Sequence, residues 1–480
     1  MGYKMKKIRL SLFMVFMVGF LFPVGEAGAI FLLIAPGAAA QGTGEANVAR
    51  VDDGYASYYN PASLAFQSKS SIVGMHVNWL KTLVPDLYYE FIGFSQPGYG
   101  GGIGGHLIFL SLGEQLATDA DGNELGNFKS YMWALDASYG TKLTEDSGIG
   151  LGFKLFHQKL ADSVTENESG EGDPYSTDFA FDLAYLLVKP NFRFGFNIAN
   201  IGPPIAFIDE AQADPAPTNM RIGFFSNLYK DDFIQFNMLM DMQKLLVASY
   251  PSMDWDGDRL IGDGQLSYET NDDGSINYDK PIYDNMSNSS GQNEGAYADP
   301  WYTAWVTAWM DDWYYGGDID YSGDQYIGGY YWQDGYNGGE LDGQAQPEEL
   351  YREDDNGDGV INGDDRQGAY ACSLECEIDP QNGEFIAGEG EVYLELGSGD
   401  GRSFSDEFNE IIINTGFEFW YTESFVLRAG YIYDKEGDIT NPTFGAGVRF
   451  DGYGFDFGYT AGEQGHPRSN SLFFSVSAEI

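Results

Sequence analysis

The sequence predicts an all-β protein: a 14-stranded antiparallel transmembrane β-barrel with an N-terminal plug-like segment and a large acidic extracellular insert. Three observations predict it. Apolar and small or polar residues alternate with period two over stretches of about ten residues. The links joining those stretches are short and long by turns. The negative charge is concentrated in one internal block. Composition agrees, since 34 Phe, 33 Tyr and 63 Gly stand beside two Cys and four His in 480 residues, a balance that favours strands and turns.

The alternation is plain in "KSYMWALDASY". Tyr131, Trp133, Leu135, Ala137 and Tyr139 share one face, and Ser130, Ala134, Asp136 and Ser138 share the other. In "GIGLGFKLF", Ile149, Leu151, Phe153 and Leu155 oppose Gly150, Gly152 and Lys154. "DFAFDLAYLL", "NFRFGFNI", "GYGFDFGY" and "SLFFSVSAEI" repeat the pattern. Fourteen such segments begin near Ser71, Asp86, Gly100, Lys129, Gly148, Thr177, Asn191, Thr218, Asp232, Glu410, Ser424, Pro442, Gly452 and Ser471. Faces meeting lipid must be almost free of charge. The opposite faces carry Asp136, Lys154, Asp182, Arg193, Glu418, Arg428, Arg449 and Asp456, a mixture of signs suited to pairing across a narrow lumen or holding a plug.

A soluble β-sandwich also alternates, so the links decide. "PGY" (Pro97–Tyr99), "KP" (Lys189–Pro190), "KD" (Lys230–Asp231), "TE" (Thr422–Glu423) and "DG" (Asp451–Gly452) are short. Between them fall "GEQLATDADGNELGN", "ADSVTENESGEGDPY", "GPPIAFIDEAQADPAP" and "AGEQGHPRS". Short turns at one end and long loops at the other describe an outer-membrane barrel with both chain ends in the periplasm. The insert follows the ninth strand and is therefore expected outside the cell.

The boundaries follow. Lys4, Lys6, Lys7 and Arg9 precede the apolar run Leu10–Phe22, and Ala27–Ala29 is a small-residue cleavage site, so residues 1–29 read as a signal peptide. Residues 30–69 are the plug-like or hatch-like segment, 70–247 strands one to nine, 248–408 the insert, and 409–480 strands ten to fourteen.

Residues 251–410 hold 38 Asp/Glu against five Lys/Arg, 33 of the 48 excess negative charges. Within them "DDNGDGVINGDD" fits a calcium loop. Asp354, Asn356 and Asp358 take positions 1, 3 and 5, Gly359 makes the turn, the Val360 carbonyl follows, and Asp365 stands where a bidentate Glu is usual. Asp254, Asp256, Asp258 and Asp263 repeat the opening without the glycine, and Asn271–Asp279 is a further partial match. Ca2+ bound there would neutralise a loop that otherwise repels itself. Trp301, Trp305, Trp309 and Trp313 recur every fourth residue, one face of a helix. That face reads as a core or lid of the insert, or as a partner-docking surface. Export to an oxidising compartment lets Cys372 and Cys376 pair, though so short a loop adds little stability.

A net charge of −48 excludes a nucleic-acid partner, which wants a basic surface. No catalytic or cofactor-binding residue stands out. His76, His106, His157 and His466 fall in strands or a late loop, and there is neither a Gly-x-Ser-x-Gly elbow nor a Cys/His metal cluster.

Several passages resemble the PorV family of FadL-like outer-membrane proteins, which serve type IX secretion. They are "IFLLIAPGAAAQGTGEANVARVDDGYASYYNPASLAF" with Asn60–Ala62, "DMQKLLV" (Asp241–Val247), "EIIINTGFEFWYTESFVLRAGYIYD" (Glu410–Asp434) and "FGAGVRFDGYGFDFGYT" (Phe444–Thr460). The resemblance implies a 14-stranded barrel in the outer membrane of a Gram-negative bacterium, in contact with its lipid. It implies no enzyme but a shuttle. Its extracellular loops would bind the C-terminal signal domain of exported cargo leaving the translocon and deliver it to the surface sortase complex. Other readings are a FadL-like channel for hydrophobic small molecules, with residues 30–69 as the hatch, and a calcium-dependent surface adhesin on a barrel.

Overall fold

Strands that alternate in this way need an apolar solvent on one side and a filled interior on the other, and a closed ring supplies both. The computed structural model describes residues 27–50, 54–78, 86–118, 124–161, 175–207, 213–250, 297–311, 404, 406–462 and 470–480, together with short strands between 266 and 394. Fourteen strands form the ring. They are β1 (Ser71–Asn78), β2 (Tyr88–Gly98), β3 (Gly101–Thr118), β4 (Glu124–Lys142), β5 (Ser147–Lys159), β6 (Tyr175–Lys189), β7 (Phe192–Ile201), β8 (Asn219–Lys230), β9 (Ile234–Leu245), β10 (Ile412–Tyr421), β11 (Phe425–Asp434), β12 (Ile439–Phe450), β13 (Tyr453–Thr460) and β14 (Ser471–Glu479). Neighbours pair antiparallel in sequence order, and β14 returns to β1 from Ser71↔Glu479 to His76↔Phe474. No edge is left on the ring.

The outward residues are those an acyl chain tolerates. Leu135, Leu151, Phe455 and Val476 are each more than half exposed, while Asp136, Lys154, Asp182, Glu418 and Arg428 on the opposite phase are buried. His76 and Glu90 depart from the rule. They face outward on β1 and β2 and pair with each other at 2.8 Å.

Even-numbered strands end in short turns. Tyr99–Gly100 and Asp451–Gly452 have both central residues at positive φ (57° and 79°, 49° and 81°), the mirror-image turn whose twist suits a hairpin. The other end carries the longer links, including the departure of β9 and the return of β10. Two links differ from expectation. "GEQLATDADGNELGN" is mostly strand, because β3 and β4 stay paired to Thr118↔Glu124 and the polar residues alternate well enough to continue the ladder. The link between β11 and β12 is only residues 435–438, where Gly437 donates its N–H to Asp434 Oδ1 at 2.8 Å.

Residues 27–50 and 54–66 fill the ring. They form a 3-10 turn (Ile30–Leu33), α1 (Ala38–Gly42), α2 (Ala56–Tyr59) and a second 3-10 turn (Pro61–Phe66). Asn60 caps the last turn, its Oδ1 accepting the Ala62 N–H at 3.0 Å with Pro61 at the first position. The segment runs from the long-link end to the short-turn end. Gly28 donates to Pro215 O in the β7–β8 link, and Ser70 O accepts from Ile480 at the other extreme. The expectation that both chain ends lie on the short-turn side thus holds for Ile480 and fails for the first described residues, because the segment passes back through the lumen before β1 begins.

Residues 248–299 and 306–407 form a second unit. Its described strands make small antiparallel sheets: Ser249–Tyr250 with Tyr297–Ala298, Leu266–Thr270 with Ile276–Tyr283, Tyr330–Trp332 with Leu350–Arg352, Glu377–Ile378 with Phe385–Ile386, and a three-stranded sheet of Asp324–Tyr326, Tyr370–Ser373 and Val392–Leu394.

Candidate functional site

The lumen and its mouth are the built site. The wall meets the segment through missing side chains. A Cβ on Gly150 of β5 would fall 2.2 Å from the Ala62 nitrogen, one on Gly195 of β7 2.5 Å from Val48 O, one on Gly416 of β10 2.4 Å from Thr43 O, and one on Gly458 of β13 2.5 Å from Ala38 O. A real side chain has no room at such distances, so these inward glycines let two backbones touch.

Charges then pin the segment. Arg50 pairs with Glu418 of β10. Glu418 Oε1 also accepts from Arg428 Nε at 2.8 Å, Arg428 Nη1 donates to Asp456 Oδ1 at 2.8 Å, and Arg449 Nη2 donates to Asp456 Oδ2 at 2.8 Å. The mixed inward signs read from the sequence are this chain of pairs. Arg193 lies over the Phe225 ring, 4.7 Å from its centroid. On the far side Asp241 of β9 accepts the N–H groups of Asn47 at 2.6 Å and Val48 at 2.9 Å. Asn60 Nδ2 donates to Val48 O at 3.0 Å and Tyr185 O at 3.2 Å. Buried charges held in this way are costly to separate.

A third cluster closes a break in the wall. The β6–β7 register shifts between Phe181 and Leu183, opposite Asn200 at φ 61°. Asp182 accepts from Asn200 N at 2.9 Å and from Lys154 Nζ at 2.7 and 2.8 Å, and Lys154 also donates to Asn200 Oδ1 at 2.9 Å. Between the segment and β8 to β10 lies a cavity of about 10 Å³ lined by Glu45, Tyr59, Arg221, Asp241 and Asn414, room for about one water.

Ser57, His106 and Asp136 gather in a way that superficially suggests acid–base catalysis. Ser57 Oγ is 2.9 Å from His106 Nδ1 and Asp136 Oδ1 is 3.5 Å from the same nitrogen. A relay needs one partner on each ring nitrogen, and all three residues are buried.

The mouth at the long-link end is apolar. Ile34, Leu87, Leu112, Met132 and Phe207 are partly buried against the core around Phe31, Phe156 and Ile205, and Ile30 is 59% exposed. At the opposite end the outer polar groups tie strands and turns together. Lys69 and Glu479 form a hydrogen-bonded ion pair at 2.6 Å, which raises the Lys69 pKa.

Trp301 and Trp305 are brought together, with ring centroids 5.8 Å apart, on the helix α3 (Trp301–Thr307). The expected four-residue face stops there, since the helix ends before Trp309. Trp313 lies outside the described residues, as do Asp354, Asn356, Asp358, Val360, Asp365, Asp254, Asp256, Asp258, Asp263, His466 and Cys376. The backbone of Cys372 lies in the strand Tyr370–Ser373. The stretch Asn271–Asp279 runs into the strand Ile276–Tyr283 rather than forming a continuous loop.

Sequence reasoning missed Arg50 and Ser57, which lie in the segment where no alternation marks a phase, and Arg221, which the alternation of β8 places inward with Asn219 and Phe225. Asp241 was detectable. It shares the phase of the inward Asn237 and Leu239 on β9.

Residues 24–252 match the family model of the type IX secretion system protein PorV. Over that span the chain is similar to the PorV family. The match takes in the luminal segment, Asn60, Asp241 and β1 to β9. With the closed ring and its apolar outer face, it places the chain in the outer membrane of a Gram-negative bacterium. No curated protein matches. Among solved structures the chain is similar to the toluene transporter TbuX of Ralstonia pickettii, at 10% identity over 94% of this chain and 98% of that one, with a TM-score of 0.40. It is also similar to the toluene transporter TodX of Pseudomonas putida (11%, 93% and 96%, 0.39) and to a FadL homologue of Pseudomonas aeruginosa (10%, 92% and 97%, 0.36).

Proposed function

We propose that the chain is a shuttle of type IX secretion. It binds the C-terminal signal domain of exported cargo at its extracellular loops and delivers it to the surface sortase complex. One observation carries the reading: residues 27–50 and 54–66 occupy the lumen and are pinned there by buried ion pairs and glycine contacts. A barrel so filled offers surface rather than passage. The half-exposed apolar mouth supplies that surface, because an aqueous rim has no other use for Ile30 and its neighbours. On this reading the long-link end and the acidic unit face the cell exterior. Ca2+ held by Asp354, Asn356, Asp358, Val360 and Asp365 orders that unit, with Asp254, Asp256, Asp258 and Asp263 as a weaker site. The exposed tryptophan face at Trp301 belongs to the same partner-binding surface.

The test is a pull-down from detergent extracts with the tagged full-length protein. Recovery of proteins sharing one C-terminal signal domain, together with a sortase, supports the shuttle. Their absence, alongside fatty-acid uptake restored by this chain in a deletion strain, overturns it in favour of a channel.

A further inference from the structure

Sequence and packing place the end of the leader differently. The small residues Ala27 and Ala29 put the cut after Ala29. A second small-residue box overlaps the first, since Gly25 and Ala27 bracket Glu26. The same rule therefore also permits a cut after Ala27. The two cuts differ by Gly28 and Ala29, and both residues are built into the fold.

Gly28 donates its N–H to Pro215 O at 3.0 Å. It lies against the β7–β8 link where Ile205 and Asp214 exchange both backbone hydrogen bonds, at 2.7 and 3.0 Å. A Cβ on Gly28 would stand 3.2 Å from Ile205 Cδ1 and 3.2 Å from Asp214 Cβ, so glycine fits best where the backbones come this close. Ala29 is 5% exposed and belongs to the apolar cluster of Phe31, Ile205 and Ala216. Its φ is 52°, a left-handed conformation that a residue with a Cβ keeps only where its surroundings impose it. Ala29 O accepts the Leu32 N–H at 3.0 Å and so opens the first 3-10 turn.

A cut after Ala29 would undo these contacts. Leu32 is 1% exposed, and its N–H would lose its acceptor where water does not replace it. The new ammonium would fall on Ile30, next to the apolar space that Ala29 fills, where charge is costly. A cut after Ala27 keeps every contact. It turns the Gly28 nitrogen from an amide into an ammonium, with Pro215 O already at hydrogen-bond distance and the Asp214 side chain alongside. A charged donor there bonds more strongly than the amide it replaces.

We propose that the leader is removed between Ala27 and Gly28, and that the α-ammonium so released docks on Pro215 O beside the Asp214 carboxylate. Maturation then fastens the free end of the luminal segment to the β7–β8 link. This requires only that the chain be exported, whatever the barrel then binds.

The test takes the full-length protein from the outer membranes of a Gram-negative host and reads its first residue by N-terminal sequencing and intact mass. Gly28 is the expected start. A start at Ile30 or at any other residue overturns the cut, as does an uncut chain. Two variants separate the boxes at the precursor stage, before packing can affect the readout. Ala29→Asn breaks the later box and should be processed like the wild type. Gly25→Gln breaks the earlier box and should accumulate precursor or move the start to Ile30. The reverse pattern overturns the cut. The docked ammonium is read with an aminopeptidase acting on the folded protein in detergent micelles. Asp214→Asn keeps the shape and removes the charge, so Gly28 should be released about fivefold faster than from the wild type, as weakening one charge-assisted contact implies. Equal rates overturn the docking.

Discussion

Gly150 and Ala62 touch through their backbones: a methyl on the Gly150 Cα would sit 2.2 Å from the Ala62 nitrogen and 2.3 Å from the carbonyl carbon of Pro61. Both neighbours are backbone of a capped turn and cannot swing aside. Gly150→Ala is expected to destabilise the barrel by about 1–3 kcal/mol, the usual cost of overpacking. Gly74→Ala is the control, because its Cβ would meet nothing nearer than 3.7 Å. Urea midpoints of the two variants in the same detergent decide the matter, and equal midpoints would show that the segment yields.

Glu418 is the hub of the luminal ion pairs, with Arg50 on the segment and Arg428 on β11. Its side chain is 1% exposed, so Glu418→Ala removes the buried carboxylate that Arg50 and Arg428 share and leaves Arg428 to Asp456. A loss of about 3–5 kcal/mol is expected. Lys69→Ala breaks an ion pair whose side chains are 66% and 48% exposed, where solvent screens the interaction. No measurable change is expected there. A double-mutant cycle between Arg50 and Glu418 measures the coupling directly.

The barrel was legible in the sequence because lipid and lumen impose opposite demands on successive residues. Lys154 and Asp182, read as inward from alternation alone, are buried partners at 2.7 Å, and the Asp451–Gly452 turn is where its dipeptide put it. The luminal segment was not legible in the same way. Its residues touch wall on all sides, so no periodicity separates faces, and Arg50 or Ser57 acquires its role only from strands more than 40 residues away. The β3–β4 ribbon reads as a loop in the sequence because Asp, Gly and Asn crowd it. Cross-strand pairing overrode those propensities.

The β8–β9 turn should respond to pH through Asp231. The Phe233 N–H, the Tyr229 hydroxyl and the Ile234 N–H all donate to its carboxylate, at 2.8, 2.7 and 2.7 Å. They hold its pKa below the ordinary carboxylate value. A carboxyl depressed in the folded state lends stability that is fully present above its unfolded pKa and is lost as pH falls through the folded one. Labelled Asp231 should therefore titrate below a free aspartate by carboxyl NMR. In Asp231→Asn the Phe233 and Ile234 amides should exchange faster at neutral pH. An ordinary titration midpoint counts against the turn geometry.

Calcium should act on the acidic unit and spare the barrel. On the proposed reading Asp354, Asn356 and Asp358 would bind Ca2+ from one local stretch of sequence, so luminal and wall contacts make no difference to it. Adding Ca2+ at millimolar concentration is expected to slow proteolysis within residues 248–408, and a chelator to restore it. Asp354→Ala with Asp358→Ala should abolish the difference while heat-modifiable mobility stays constant. Protection that survives the double variant would assign the effect to another site.

The filled lumen should not conduct. Ions need a continuous aqueous path, and the cavity beside Arg221 and Asp241 holds about 10 Å³, room for about one water. Wild-type protein in a planar bilayer is expected to show no stable conductance. Arg50→Glu sets a second carboxylate against Glu418 where an ion pair had been. Like charges in that interior repel strongly enough to loosen the segment, so transient openings should appear in this variant and be suppressed when Glu418→Arg restores the opposite signs. Steady conductance by the wild type would mean that the segment moves aside unaided, and the channel reading would then displace the shuttle.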